Sequence, residues 1–379
     1  MAWLFLALPG AVLWVCVLVL PWGPWRIREV LEADANATNA DFGDITVLIP
    51  ARDEAASIGH ALAALKAQGR NLRVFVVDDQ SSDGTGEVAR SFAHDEVEVI
   101  CGRSLPPGWS GKLWALEQGR VHARRPFTLL IDADIALQPG ILVRLRDKME
   151  HDGLGLASLM AALRMKTTWE KLLLPAFVYF FKLLYPFALS NDPRRRRIAA
   201  AAGGCVLLRT QILDELGGFG ALRDALIDDC ALARQVKARG YKTWVGLSHA
   251  VHSIRAYDSL SAIWDMVARS AFTQLRYSIS LLLGCTTLFA AAFWLPLGGL
   301  LAPSLSARTL SAVALGAMMA SYLPTLKFYR RSPLWALVLP VTATLYLAMT
   351  WTSALRYWGG RRSQWRGRIY RNDLNSSTG

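Results

Sequence analysis

The stretch FTLLIDADIAL, residues 127–137, constrains this chain more than any other. An apolar, β-like run from Phe127 to Ile131 ends abruptly in Asp132-Ala133-Asp134, and Pro139-Gly140 comes next. A strand that ends this way presents two carboxylates at the C-terminal edge of a sheet, where open α/β sheets bind ligands. Carboxylates one residue apart are hard oxygen ligands, suited to a divalent cation that in turn holds phosphates. A solvated, Asp-rich turn would account for the same residues more plainly. The neighbouring segments decide between the two.

ITVLIPARDEAASI opens with a strand over 45–49 that stops at Pro50, and Ser57 starts a helix with Ile58, Leu62 and Leu65 on its apolar face. A second strand, VFVV, ends in Asp78-Asp79 before the turn QSSDGT, and a third covers 97–101. GWSGKLWALEQG (108–119) opens a helix ahead of the strand at 127. Strands alternating with helices predict an α/β fold with a doubly wound, mostly parallel sheet. Further on, AAAGGCVLLRTQIL reads as a strand with an internal Gly203-Gly204, where a ligand or another backbone can come close. Asp228-Asp229 starts a helix whose apolar face includes Leu232 and Val236, and helix-dipole stabilisation alone would also select acids there. His249 and His252 come after a strand over 243–247. With no third ligand in sequence they read as surface or supporting histidines rather than a metal pair.

The ends of the chain differ from its middle. Of 379 residues 53% are hydrophobic and 14 are Trp, with the excess in the first twenty and last hundred positions. Residues 3–20 are uncharged and apolar, then come Pro21-Trp22, Arg26 and Arg28. Their length suits a span of about 20 residues. A secretory signal is disfavoured by the missing basic start and cleavage site. The arginines place the adjoining domain in the cytoplasm. We therefore expect a signal-anchor at 1–28, a polar linker at 29–43 and an α/β domain at 44–258. Within it, residues 172–197 are expected to form an interfacial insertion, an apolar hairpin broken by Pro175 and Pro186 beside Arg194 to Arg197. An interfacial helix at 259–278, spans at 279–301, 309–326 and 334–355, and a basic tail at 357–379 complete the reading. Four spans would put the Arg-rich tail outside, so either one is re-entrant or the positive-inside rule does not hold here. The charge of +12 clusters beside these segments, which fits anionic headgroups better than nucleic acid. The five cysteines show no metal or disulfide spacing and fit a reduced compartment.

Taken in order, IPARDEA, VVDDQSSDGT, GWSGK, IDAD, GG, IDDCALARQVKARGYK and a late TQLRY resemble the family 2 glycosyltransferases of GT-A fold. Among these the chain looks closest to the bacterial hopanoid-biosynthesis-associated enzymes, and more distantly to ceramide glucosyltransferases. The resemblance covers roughly residues 44–277. It implies a Rossmann-like GT-A domain between an N-terminal membrane anchor and C-terminal transmembrane helices, at the cytoplasmic face of the inner membrane. It implies inverting transfer from a nucleotide-sugar, a UDP-sugar foremost, to a membrane lipid such as a hopanoid. Pro50, Ala51, Arg52, Glu54, Asp78 and Asp79 would form the nucleoside pocket, with Asp79 accepting from the base. Lys112 would meet the diphosphate. Asp132 and Asp134 match the DxD motif: Asp134 would bind Mg²⁺ or Mn²⁺, and Asp132 ribose or metal. Asp229 would be the general base, and Asp228 stands where the family has Glu. Gly203 and Gly204 would border the acceptor. Arg276 would clamp the diphosphate and Tyr277 offer the acceptor an aromatic platform, although Gln274 is one residue out of the family register. A polyprenyl-phosphate acceptor is the nearest rival reading. A processive polysaccharide synthase and a non-catalytic membrane scaffold stand further off.

Overall fold

The structure is a computed structural model that describes all residues except 1, 38, 94, 95, 224, 226, 227, 366, 367 and 372–379. An apolar helix, α1 (Ala2–Val19), opens it. The α/β part then runs β1 (Ile45–Ala51), α2 (Ala55–Lys66), β2 (Arg73–Asp78), α3 (Thr85–Arg90), β3 (Val97–Cys101), α4 (Gly111–Arg120), β4 (Phe127–Ile131), β5 (Ile135–Leu137), α5 (Ile141–His151) and β6 (Leu154–Ala162). After α6 (Thr168–Leu184) come β7 (Cys205–Arg209), α7 (Asp228–Ala238) and β8 (Lys242–Ser253). The strands form one sheet in the order β3-β2-β1-β4-β7-β6-β8-β5.

The sheet is mixed rather than mostly parallel. β7 runs antiparallel to both β4 and β6, and β5 antiparallel to β8. The reason is local. β7 enters the sheet after the long α6 excursion, from the opposite end, and β5 is a short return from β4. Alternating side chains serve both faces: Val47, Ile49, Leu129 and Ile131 join one core with α2 and α5, while Leu48 and Leu130 join another with α4 and α7. Burial on both faces explains why these strands read as unbroken apolar runs.

Several boundaries differ from expectation. β1 continues through Pro50 to Ala51. It pairs with β4 only as far as Leu48, so the missing N–H of Pro50 falls where that partner has ended. α2 begins two residues before Ser57. Gly203-Gly204 precede β7 instead of lying inside a strand, and β8 is long enough to contain both His249 and His252.

The segment expected as a broken interfacial hairpin begins as one 17-residue helix, α6, with Pro175 inside it. Thr167 and Glu170 form a capping box at its start, and the Pro186 break ends it before a short helix, Phe187–Asn191. α6 is also not a surface element. Leu173, Leu174, Ala176 and Tyr179 pack against the C-terminal helices, and Val178 packs toward Val245 and Leu247 of β8.

After α8 (Leu260–Ala268) come three helices long and apolar enough to cross a membrane: α9 (Ile279–Gly299), α10 (Leu305–Phe328) and α11, which with a preceding 3₁₀ turn covers Pro333–Trp358. α1 packs against the first two. A Cβ on Gly10 would come within 2.5 Å of Pro296, so only glycine permits this approach. Pro296 removes the N–H that an α-helix would return to Ala292. That carbonyl accepts instead from Trp14 Nε1 at 2.7 Å, beside a π-turn at Ala290–Trp294. Of the basic tail, Arg361–Trp365 and Arg368–Arg371 pair as antiparallel strands, and residues 372–379 lie outside the described ones.

Candidate active site

The C-terminal ends of β1, β2 and β4 lie side by side, and the loops that leave β1 and β2 are bonded to each other. The N–H of Asp53 donates to Ser81 Oγ, that of Glu54 to Thr85 Oγ1 (2.7 Å), that of Ala55 to Asp83, and that of Ser82 back to Asp53. Asp53 and Gln80 take left-handed backbone conformations, φ 50° and 56°, in this interlock. Such strain persists where the surroundings over-determine it. Arg52 donates to the carbonyl of Asp79 (2.5 Å) and stands 3.8 Å from its carboxylate, which is fully buried. The N–H of Asp79 returns to the carbonyl of Ala51. Asp78 accepts from the N–H of Ser81, which makes it a turn-former as much as a ligand group. Ala51, Arg52, Glu54, Asp78 and Asp79 thus sit together as a prebuilt cradle.

Beside it lies a pocket, open to solvent, bordered by Pro50, Lys112, Asp132, Gly203, Asp228 and Asp229 over an apolar floor that includes Leu113 and Phe219. Lys112 is placed by α4, whose first turn Ser110 caps by accepting from Leu113. Its ammonium lies 2.8 Å from Asp132 and 3.6 Å from Asp228. Burial opposes the charge of Lys112, but the facing carboxylates outweigh it and hold the ammonium firmly protonated. Burial raises Asp132 above the usual carboxylate range, with Asp134 and Asp228 adding to the rise and Lys112 opposing it.

Asp229 stands at the start of α7. Its two oxygens accept from the N–H groups of Gly203 and Cys230, each at 2.7 Å. Burial, and then the charge of Asp228, push its carboxyl up to about 6 in spite of Lys112 and those two donors. A Cβ on Gly203 would stand 3.3 Å from both the Asp229 carboxylate and the Lys112 ammonium, so the glycine lets the two groups share the space above it. The carbonyl of Gly204 accepts from the N–H of Asp132. Gly203 therefore lines the pocket, and Gly204 anchors the backbone of Asp132 from behind it.

Asp134 is buried, and its Oδ2 accepts from Arg255 Nε at 2.5 Å. Arg255 also donates through Nη2 to Glu54 at 2.7 Å, and so links the cradle to the strand end of β4. Arg255 carried no sequence signal: it is one of 42 basic residues and sits in no motif. Asp132 and Asp134 offer only oxygen, and the like charges that raise Asp132 are ones a divalent cation would relieve. The donor set therefore fits Mg²⁺ or Mn²⁺. Among the described residues no group of three His, Cys, Asp or Glu is gathered for a metal, so substrate oxygens would have to complete the coordination.

The late motif lies elsewhere. Arg276 is exposed, and Tyr277 stacks on Tyr357 at 4.3 Å with Phe272 edge-on. Both take left-handed conformations at the turn into α9, and no described contact joins them to the acidic cluster. Gln274 accepts from the hydroxyl of Tyr185, which burial, Cys230 and Asp229 push up to about 12. His249 bonds Glu32 and the carbonyl of Phe328 and stacks on Phe328, a structural role as its sequence suggested.

Comparison with known proteins places this geometry. The model for glycosyl transferase family 21 matches residues 74–377. The 4,4'-diaponeurosporenoate glycosyltransferases of Staphylococcus aureus strains RF122 and N315 are 36% and 37% identical over 104 residues. That match takes in 27% of this chain, and the chain spans only 27% of the length of those relatives. Among solved structures, a mannosyltransferase of Pyrobaculum calidifontis in complex with GDP-Man and Mn²⁺ covers 94% of this chain and 99% of its own, with TM-score 0.53 and 18% identity. At that identity the likeness is one of fold, and the fold is GT-A.

Proposed function

This chain belongs to glycosyl transferase family 21, and from that premise we propose that it transfers a sugar from a nucleotide-sugar to a membrane lipid at the cytoplasmic face of the inner membrane, with inversion at the anomeric carbon. The observation that carries the reading is Asp229. It is a carboxylate pushed up to about 6, in a pocket with Lys112 and Asp132, on a domain whose core runs into three membrane-length helices. A base with that proton affinity is matched to a hydroxyl acceptor at neutral pH.

In the proposed reaction the acceptor oxygen attacks the anomeric carbon, and the bond from that carbon to the diphosphate oxygen breaks. The hydroxyl proton passes to Asp229. The nucleoside diphosphate leaves with the bonding pair, toward Lys112, and Arg276 reaches it only if the turn before α9 moves. Asp79 and Arg52 would receive the base, with Asp78 and Glu54 holding the loops around it. Asp228 keeps the proton affinity of Asp229 high, since it is the second cause of that rise. Gly203 and Gly204 leave room for the acceptor, and Tyr277 would border its path. Asp132 and Asp134 would hold Mg²⁺ or Mn²⁺, which when bound neutralises charge on the departing diphosphate.

The proposed base and the membrane-length helices together support a lipid hydroxyl as the acceptor. The staphylococcal relatives are named for a carboxylate, which needs no deprotonation to attack. An active base marks a hydroxyl, and a hopanoid is the lipid we propose first. A UDP-sugar is the donor we propose first. The test is transfer of labelled sugar from a panel of UDP- and GDP-sugars into extracted membrane lipid, with purified hopanoid and polyprenyl phosphate in separate arms. Metal-dependent label in the hopanoid arm, lost with EDTA, with Asp134→Asn and with Asp229→Asn, is the expected result. Label only in the polyprenyl-phosphate arm would replace the acceptor, and retained turnover in Asp229→Asn would sink the mechanism.

A further inference from the structure

Arg255 stands two residues beyond the end of β8, and the backbone fixes it there. Ser253 pairs with Ile135, and the N–H of Ile254 donates to the carbonyl of Asp134 at 2.9 Å. From that seat the guanidinium serves two carboxylates at once, Nε to Asp134 and Nη2 to Glu54. Glu54 comes from the end of β1 and Asp134 from the end of β4, and both side chains are only 11% exposed. A cation between two such carboxylates offsets their mutual repulsion. Arg255 supplies that charge at the very oxygen-bearing group proposed to hold the metal.

A divalent ion on Asp134 would meet a fixed positive charge bonded to the same carboxylate, and two cations so close repel. We propose that Arg255 is an internal counter-ion that competes with the divalent metal for Asp134, so that the metal enters together with the donor's diphosphate and not before it. This rests on the metal-dependent reading of the site. The bonding pattern supplies a release route. Because different nitrogens serve the two acids, the guanidinium can let go of Asp134 while Glu54 still holds it. The diphosphate then offers Arg255 a new anion and gives the metal the oxygens that the protein lacks. Apparent metal affinity in the absence of nucleotide is the intrinsic affinity scaled by the fraction of time that Asp134 is released. A partner that merely oriented Asp134 for the metal would have the opposite effect, because its removal would weaken binding.

The experiment is Mn²⁺ binding to the full-length protein in detergent, monitored by electron paramagnetic resonance of free Mn²⁺, for the wild type, Arg255→Gln and Arg255→Lys, each with and without UDP or GDP. Without nucleotide, Arg255→Gln is expected to bind Mn²⁺ about tenfold more tightly than wild type. Arg255→Lys, whose single nitrogen replaces the two that span the carboxylates, is expected to fall between. The gap narrows when nucleotide is present. Unchanged or weaker Mn²⁺ binding in the variants overturns the proposal. Should Arg255→Gln not fold, Arg255→Lys decides alone: tighter binding supports the competition and unchanged or weaker binding ends it. Failure of every protein to bind Mn²⁺ even with UDP or GDP overturns the metal-dependent reading itself, and the competition with it.

Discussion

Asp229 can be assigned a working pH range because its surroundings are specific. Its carboxyl sits at about 6 through burial and the neighbouring Asp228, moderated by Lys112 and by two backbone N–H groups. The base proposed here acts only when ionised, so kcat/KM should fall as pH drops through 6. At pH 5 about one-tenth of the enzyme would hold the active form. Asp229→Asn should lose about 10²- to 10⁴-fold in rate, the usual contribution of a general base, and its residual activity should show no limb near pH 6. A limb that persisted in Asp229→Asn would assign the titration to another group. The placement of the acidic residues was legible in the sequence, because they stand at strand ends and at a helix start, and the structure gathers Asp132, Asp228 and Asp229 around one pocket. Arg255 was not, since its role depends on a pairing between strands more than a hundred residues apart.

Prolines show what local rules decide at the scale of elements and what they leave to tertiary context. Pro50 reads as a strand end, yet β1 passes through it because one neighbouring strand has already stopped. Pro175 reads as a break, yet α6 continues through it, nucleated by the Thr167–Glu170 capping box and held by burial on two sides. Pro186 does end the helix: the residue before it, Tyr185, leaves the helical conformation, as a residue preceding proline is biased to do, although Phe187 beyond it is buried. The capping box can be tested directly. Glu170 is fully buried and also accepts from the N–H of Lys166 and of Tyr257, so it ties α6 to the segment after β8. Thr167→Ala removes only the reciprocal cap and should cost about 1 kcal/mol, read as a lower melting temperature with donor binding unchanged. A larger loss accompanied by loss of donor binding would mean that the helix start also shapes the pocket.

At the scale of the whole molecule the strand–helix alternation, the acidic strand ends and the apolar C-terminus were all readable. The antiparallel insertion of β7 and the burial of α6 were not, because both depend on where the chain re-enters the sheet. The junction itself makes a prediction. The Tyr179 hydroxyl lies 2.6 Å from Ser321 of α10, and Tyr346 of α11 donates to the carbonyl of Leu173. Ser321 also donates to Met318 and stays satisfied alone, so Tyr179→Phe should cost only about 1 kcal/mol. Limited proteolysis between α6 and α10 should nevertheless become faster, and unchanged kinetics would show that the contact contributes nothing to holding the two parts together.

That shared core has a geometric consequence. With α9, α10 and α11 in a bilayer, the catalytic pocket has no tether on which to rise or sink, and its height above the hydrocarbon is set by α6. If its acceptor is a membrane lipid, as proposed, such an enzyme would measure it as a fixed gauge does, admitting a lipid by how far its reactive oxygen stands clear of the membrane, indifferent to the length of the tail below.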